Sequence, residues 1–175
     1  MWDLRTKNKI HNFKEQNEEI TDFEQTEEFI LSTSIEGTLG VYDIRKMNKL
    51  KLYALSDCIE DELLSISIIK DGKKVICGTS EGPLVIFQWD WFGDFKDRLI
   101  GHPSSIFSIA KFDENKVFTA CEDGNIRYIS ISPNYIKSMI VDNFEKKDIP
   151  NFENRNFKEV SCLCLTKSIL LLIKR

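Results

Sequence analysis

TSIEGTLGVYDIR (residues 33–45), GTSEGPLVIFQWD (78–90) and TACEDGNIRYISI (119–131) align without gaps when each is anchored on its central glycine. The anchors Gly37, Gly82 and Gly124 stand 45 and 42 residues apart, and five residues after each comes Tyr42, Phe87 or Ile129. In each stretch an acid (Glu36, Glu81 or Asp123) precedes the glycine, and a β-rich run lies on either side. Acid-glycine between two such runs is the strongest short-range hairpin signal, because the turn needs a residue that tolerates positive φ. Working outward, an apolar run precedes each hairpin (ITDFE at 20–24, LLSISII at 63–69, SIFSIAKF at 105–112) and another begins at VSCLCL, 160–165. A fourth run follows each hairpin: KLKLYAL at 49–55, KDRLIG at 96–101 and YIKSMIV at 135–141. Four strands per period and no long amphipathic helical pattern predict an all-β chain.

Composition narrows the function classes. The chain has 175 residues, 42% hydrophobic and 30% charged, which is ordinary for a globular domain and unlike a disordered one. The longest apolar stretch, SILLLIK at 168–174, is strand-sized, so no membrane span is expected, and the polar N-terminus does not read as a signal peptide. Five widely spread cysteines and two histidines, with no CxxC, suit reduced thiols in an intracellular protein. Cys162 and Cys164 share one face of a strand and are read as buried thiols, since no metal-ligand partners lie nearby. The net charge is −4, with acids concentrated early at Glu15, Glu18, Glu19, Asp22, Glu24, Glu27, Glu28 and Glu36. Phosphate-backbone binding draws on a basic surplus, so direct nucleic-acid binding is not expected. There is no nucleophile elbow, phosphate-binding glycine loop or metal-ligand cluster, and the expectation is a non-enzymatic protein with no cofactor and no metal.

The repeat length and the dipeptides Trp2-Asp3, Tyr42-Asp43 and Gly101-His102 resemble WD-repeat β-propellers, whose four-stranded blades recur every 40–45 residues or so. A narrower resemblance rests on FQWDWFGDFKDRLIGHPSSI (87–106), EDGNIRYISISPNYI (122–136) and the Pro133-Asn134 pair. These are similar to the nucleolar WD-repeat protein 55 subfamily. That resemblance implies a scaffold for protein partners in ribosomal RNA processing and subunit assembly, in the nucleus and nucleolus. It also implies an internal network in which His102 and Asp123 take two of four positions and lie within hydrogen-bonding distance. Cys121 then stands at the hydroxyl position and Ile129 at the tryptophan position, which leaves the network incomplete.

Several residues carry possible contacts. Trp89 and Trp91, with Phe92 and Phe95, either form an exposed peptide-binding patch or fill the gap between blades, and the structural reading is preferred. WDLR at 2–5 and YDIR at 42–45 resemble the motif by which WD-repeat receptors dock the adaptor of cullin-four ubiquitin ligases. In that alternative Arg5 and Arg45 make the contacts; otherwise each pairs with its nearby aspartate. For the scaffold, the turns near Glu36, Glu81 and Glu122, the leading segment at Ser104 and Ser105, and an exposed Arg127 are the partner-binding candidates.

The expected architecture is a single propeller domain forming an open arc of about four blades. Three are complete (residues 19–57, 58–101 and 102–145), and partial blades stand at 1–18 and 158–175. Residues 4–14 read as an outermost strand. A seven-bladed ring at this period takes about 290 residues. The chain is therefore expected to be part of a larger propeller, with exposed apolar edges through which it self-associates.

Overall fold

The computed structural model describes residues 1–45, 51–131, 136–139, 162–166 and 169–173. The Pro133-Asn134 pair and residues 140–161 lie outside the described residues. A two-stranded hairpin, β1 (Trp2–Asp3) and β2 (Asn8–Lys9), comes first. Blade one is β3 (Ile20–Gln25), β4 (Phe29–Ser34), β5 (Leu39–Asp43) and β6 (Lys51–Leu55). Blade two is β7 (Leu63–Ile69), β8 (Lys74–Thr79), β9 (Leu84–Gln88) and β10 (Asp97–Leu99). Blade three is β11 (Ile106–Asp113), β12 (Lys116–Cys121), β13 (Ile126–Ile131) and β14 (Ile136–Met139). Another antiparallel pair, β15 (Cys162–Thr166) and β16 (Ile169–Ile173), follows, with β15 lying beside β11.

Within each blade the strands pair antiparallel in chain order, and each sheet stays open at both edges. The described sheets succeed one another as an open arc, with no closed barrel among them. The expectation of one long outermost strand over residues 4–14 is corrected. Only Asn8–Lys9 pairs there, with Trp2–Asp3, and the chain from residue 11 onward instead lies over the face of blade one.

The core sits between blades. Leu31, Leu39 and Val41 of blade one pack against Leu63, Val75 and Phe87 of blade two, and a second cluster joins Ile76, Leu84 and Ile86 to Ile106, Val117 and Ile129 of blade three. Strand alternation supplies both faces: along the central strands nearly every residue is buried, because each sheet has a neighbour on either side.

The turn glycines make this stacking possible. Gly37, Gly82 and Gly124 have φ of +79°, +100° and +79°, as the acid-glycine pattern predicts. Two of them also lie hard against the next blade. A Cβ on Gly37 would fall 2.2 Å from the carbonyl oxygen of Ile59, and one on Gly82 would fall 2.7 Å from that of His102. One hydrogen bond recurs at the same place in every blade. The N–H two residues before the glycine donates to the carbonyl just ahead of the first strand: Ile35 to Glu19 (3.1 Å), Ser80 to Glu62 (3.1 Å) and Glu122 to Ser105 (3.0 Å).

Innermost strands are also bridged by side chains. The Thr21 hydroxyl donates to the carbonyl of Leu63 (2.6 Å), and the Ser65 hydroxyl to that of Ile106 (3.0 Å). Asp22 and Glu24 accept from the N–H groups of Ile66 (3.1 Å) and Ile68 (2.5 Å), so two donors on the free edge of β7 are satisfied by carboxylates of β3.

Gly82→Ala combines a left-handed backbone with a collision against neighbouring backbone, and is expected to destabilise the chain by about 2 kcal/mol or more. Urea denaturation followed by circular dichroism checks it. Gly72 also has positive φ but nothing within 4 Å of its Cβ position, so alanine there should cost less.

Candidate functional site

Gly101-His102 opens the segment leading into blade three, and His102 is buried, 7% exposed, over that blade's central strands. Its Nε2 lies 2.9 Å from the Thr119 hydroxyl of β12, and Nδ1 has no hydrogen-bond partner. The expected His102–Asp123 hydrogen bond is therefore not formed. The Asp123 carboxylate is engaged elsewhere, taking both terminal nitrogens of Arg127 and the N–H of Asn125 (3.1 Å). The hydroxyl of the network is Thr119, two residues earlier on the same strand face than Cys121.

Arg127 corrects a second expectation. It is 5% exposed and its guanidinium is paired with Asp123, so it is an internal support of the turn and not a surface arginine. The pairing holds the Asp123 carboxyl below its ordinary range, and burial, with the Arg127 charge nearby, lowers His102 to about 4.

Each blade solves the same structural problem with different residues. In blade one Gln16, twenty-one residues before Gly37, takes the place that His102 holds twenty-two residues before Gly124. Its side-chain carbonyl accepts from the hydroxyls of Ser32 and Tyr42, and its amide donates to the Thr38 carbonyl and hydroxyl, both at 3.1 Å. Phe13 stacks on Tyr42 at 4.3 Å between ring centroids. In blade two the positions equivalent to Ser32 and Tyr42 hold Cys77 and Phe87, both buried, and Asp61, twenty-one residues before Gly82, pairs with Arg98. Burial drives the Cys77 thiol far up. Replacing both partners of a buried hydrogen bond by apolar groups of similar shape is nearly neutral, whereas replacing one is costly. Gln16 was missed in the sequence because it shares no letters with Gly-His; its distance from the turn glycine was the available signal.

The remaining candidates divide. Trp89 and Phe92 fill the seam between blades one and two, edge-on to each other at 5.3 Å, with Phe29 and Tyr53 of blade one against them at 5.8 and 6.5 Å. Phe95 packs on the same core, so for these three the gap-filling reading is what the structure shows. Trp91 departs from it: the residue is 70% exposed. Asp90 between them has φ of +65° and accepts from the Tyr53 hydroxyl at 3.2 Å.

Ser104 and Ser105 are half-buried and bind the hairpin turns. Ser104 Oγ accepts from the Asp123 N–H (3.2 Å), and Ser105 Oγ donates to the Ser80 carbonyl (2.9 Å) and to Glu122 (3.0 Å). Glu36 is tied to Thr38 and Asn17, whereas Glu81 stands exposed. Arg45 is held bidentately by Asp43, whose carboxyl it lowers to about 2, and its guanidinium lies 5.3 Å from the Phe29 ring centroid. Asp3 caps its own turn through the N–H of Arg5 (2.8 Å) and the Thr6 hydroxyl (2.8 Å), which leaves Arg5 exposed. Among the described residues no group of three or more His, Cys, Asp or Glu is placed to hold a metal ion.

No family model matches the chain. Two curated proteins named WD repeat-containing protein 55 are similar to it. The one from Arabidopsis thaliana is 37% identical over 139 residues and the one from Mus musculus 33% over 138, each across 78% of this chain and 38% and 35% of its own length. The chain thus spans little more than a third of these relatives. Among solved structures, the WD40 repeats of RRP9 superpose with a TM-score of 0.64 at 13% identity, covering 85% of this chain and 42% of that one, a likeness of fold.

Thr119→Val should cost about 1–3 kcal/mol, because it leaves the buried imidazole with neither nitrogen paired; thermal unfolding at neutral pH measures it. The pH dependence has two opposed parts. His102 binds a proton more readily unfolded than folded, so its contribution is complete above pH 6.5 or so and is lost as pH falls toward about 4. Glu24 is raised to about 7, burial outweighing the Ile68 hydrogen bond, so its contribution is complete below about 4.5 and is lost as pH rises to 7. Glu24→Gln should therefore make stability climb more steeply between pH 5 and 7 than in the unsubstituted chain, read from urea midpoints across that range.

Proposed function

Because this chain is a WD-repeat β-propeller protein, homologous to the proteins named WD repeat-containing protein 55, we infer that it is a non-enzymatic scaffold that holds protein partners during ribosomal RNA processing and ribosome subunit assembly, in the nucleus and nucleolus. The carrying observation is the likeness across 139 residues to those proteins, together with the WFGDFKDR and GHPSSI stretches that lie within blade two and its link to blade three. The geometry supports recruitment over chemistry. The turns at Glu36, Glu81 and Glu122 are each anchored by the recurring hydrogen bond to the segment ahead of the first strand, so they reach a partner already ordered. Loops fixed in advance lose little entropy on binding. Arg45, spent on Asp43 and the Phe29 ring, offers a cullin-four adaptor only a guanidinium that must first leave its own carboxylate.

Affinity capture of the tagged chain from growing cells, read by mass spectrometry, should enrich ribosome-assembly factors along with precursor ribosomal RNA. Enrichment of cullin-four adaptor subunits in their place, lost in the Arg5→Ala, Arg45→Ala double variant, would overturn this reading.

A further inference from the structure

Blade two ends in a row of side chains that the architecture does not use. Lys74 on β8 lies directly across from Gln88 on β9, and the Lys96 ammonium, at the start of the outermost strand, donates to the Gln88 side-chain carbonyl. The N–H of Trp91 closes back on the Gln88 carbonyl at 3.0 Å, which fixes the backbone that carries the exposed indole beside this row. Gln88, Trp91 and Lys96 line one shallow groove of about 310 Å³, and Gln88 continues into a second of about 410 Å³ whose walls include Lys70, Lys73, Lys74, Asp71 and Glu114.

Gln88 lines both grooves, so the aromatic anchor of one and the lysines of the other stand on either side of it; the pair of grooves is called the track. Among the described residues no carboxylate comes within ion-pair distance of Lys73 or Lys74, while Glu114 is taken by Lys111 at 2.5 Å and by the Asp71 N–H at 2.7 Å. The walls are held in place before any ligand arrives. Lys70, Asp71 and Gly72 all have positive φ, and this turn is pinned to blade three by the Lys70 N–H on the Glu114 carbonyl (3.0 Å) and the Lys70 ammonium on Asn115. Four ammonium groups on a chain of net charge −4 are a local reversal of sign.

We propose that this track on blade two binds an acidic peptide segment bearing a large apolar side chain, with Trp91 as the anchor and Lys73, Lys74 and Lys96 as the charge partners. An exposed tryptophan on a fixed turn has the area and rigidity that concentrate binding energy, and ammonium groups with no carboxylate partner among the described residues choose an anionic one. A peptide fits better than a polynucleotide for a reason visible in the walls. Asp71 stands exposed among the lysines, where a peptide N–H can meet it, whereas a phosphodiester backbone has no N–H to donate; the amides of Gln88 and Asn115 likewise both donate and accept. The inference rests on the scaffold reading and names a partner chemistry for it.

The test is fluorescence anisotropy on the full chain, with a short labelled peptide of glutamates and one phenylalanine as probe and a labelled uridine oligonucleotide of similar length as comparator. Peptide binding should weaken with added salt. It should fall about tenfold or more in Trp91→Ala, and again in Lys73→Glu with Lys96→Glu, while circular dichroism of the variants is unchanged. Trp91→Phe should restore part of the loss, since a smaller ring keeps the apolar contact. Tighter binding of the oligonucleotide than of the peptide overturns the assignment, as does peptide binding indifferent to these substitutions or absent altogether. Ribosome-assembly factors still captured by Trp91→Ala from cells would leave the scaffold reading intact while the track fails.

Discussion

Everything in this fold depends on one close approach: the backbone leading into blades two and three lies where a side chain on the preceding hairpin turn would have to be. Gly37 and Gly82 meet the carbonyls of Ile59 and His102 at distances no Cβ could share. The turn therefore does two jobs with one residue, reversing the chain at positive φ and letting the next blade seat itself. The period of the sequence is the period of that contact. With it goes the pressing of the sheets' apolar faces together, while the recurring hydrogen bond at Ile35, Ser80 and Glu122 ties each turn to the leading segment of its own blade.

Once the blades are seated, what fills the space above the central strands is free to vary. Blade three keeps a histidine on a threonine, blade one uses a glutamine between a serine and a tyrosine, and blade two has Cys77 and Phe87 where those two side chains stand. The three are physically equivalent in one respect, since each leaves few buried polar atoms unpaired. The exceptions among the described residues are His102 Nδ1 and Arg127 Nε, both beside the blade-three turn. The carboxylates of Asp22 and Glu24 belong to the same accounting. Each accepts from a strand edge that has no strand to pair with, and burial raises both carboxyls as the cost of sitting there.

The strand pattern, the turns and the repeat were legible because they rest on local chemistry: alternation, an acid and a glycine, a fixed spacing. Residue partners were less so. Asp123 and His102 belong to one neighbourhood, but which of them bonds to which was decided by Arg127, whose long side chain folds back four residues to its own turn. From sequence an arginine on a strand reads as exposed; its burial comes from a carboxylate that letters alone do not place beside it. Gln16 was hidden for a related reason, since an amide replaces an imidazole in shape and hydrogen bonding without resembling it in a motif. The two tryptophans were read together because they sit together, and only the backbone separates them.

That separation comes from Asp90. On a regular strand, residues two apart look the same way, and Trp89 and Trp91 would both have entered the seam or both have left it. A single left-handed residue turns the chain between them, so that one indole becomes mortar and the other becomes signage. The two positions are thereby released from one another. Changes at Trp91 can retune what the molecule meets without disturbing how its blades adhere, whereas a change at Trp89 is answered in the stability of the whole. A stretch of three residues thus holds two independent histories, divided by the sign of one angle.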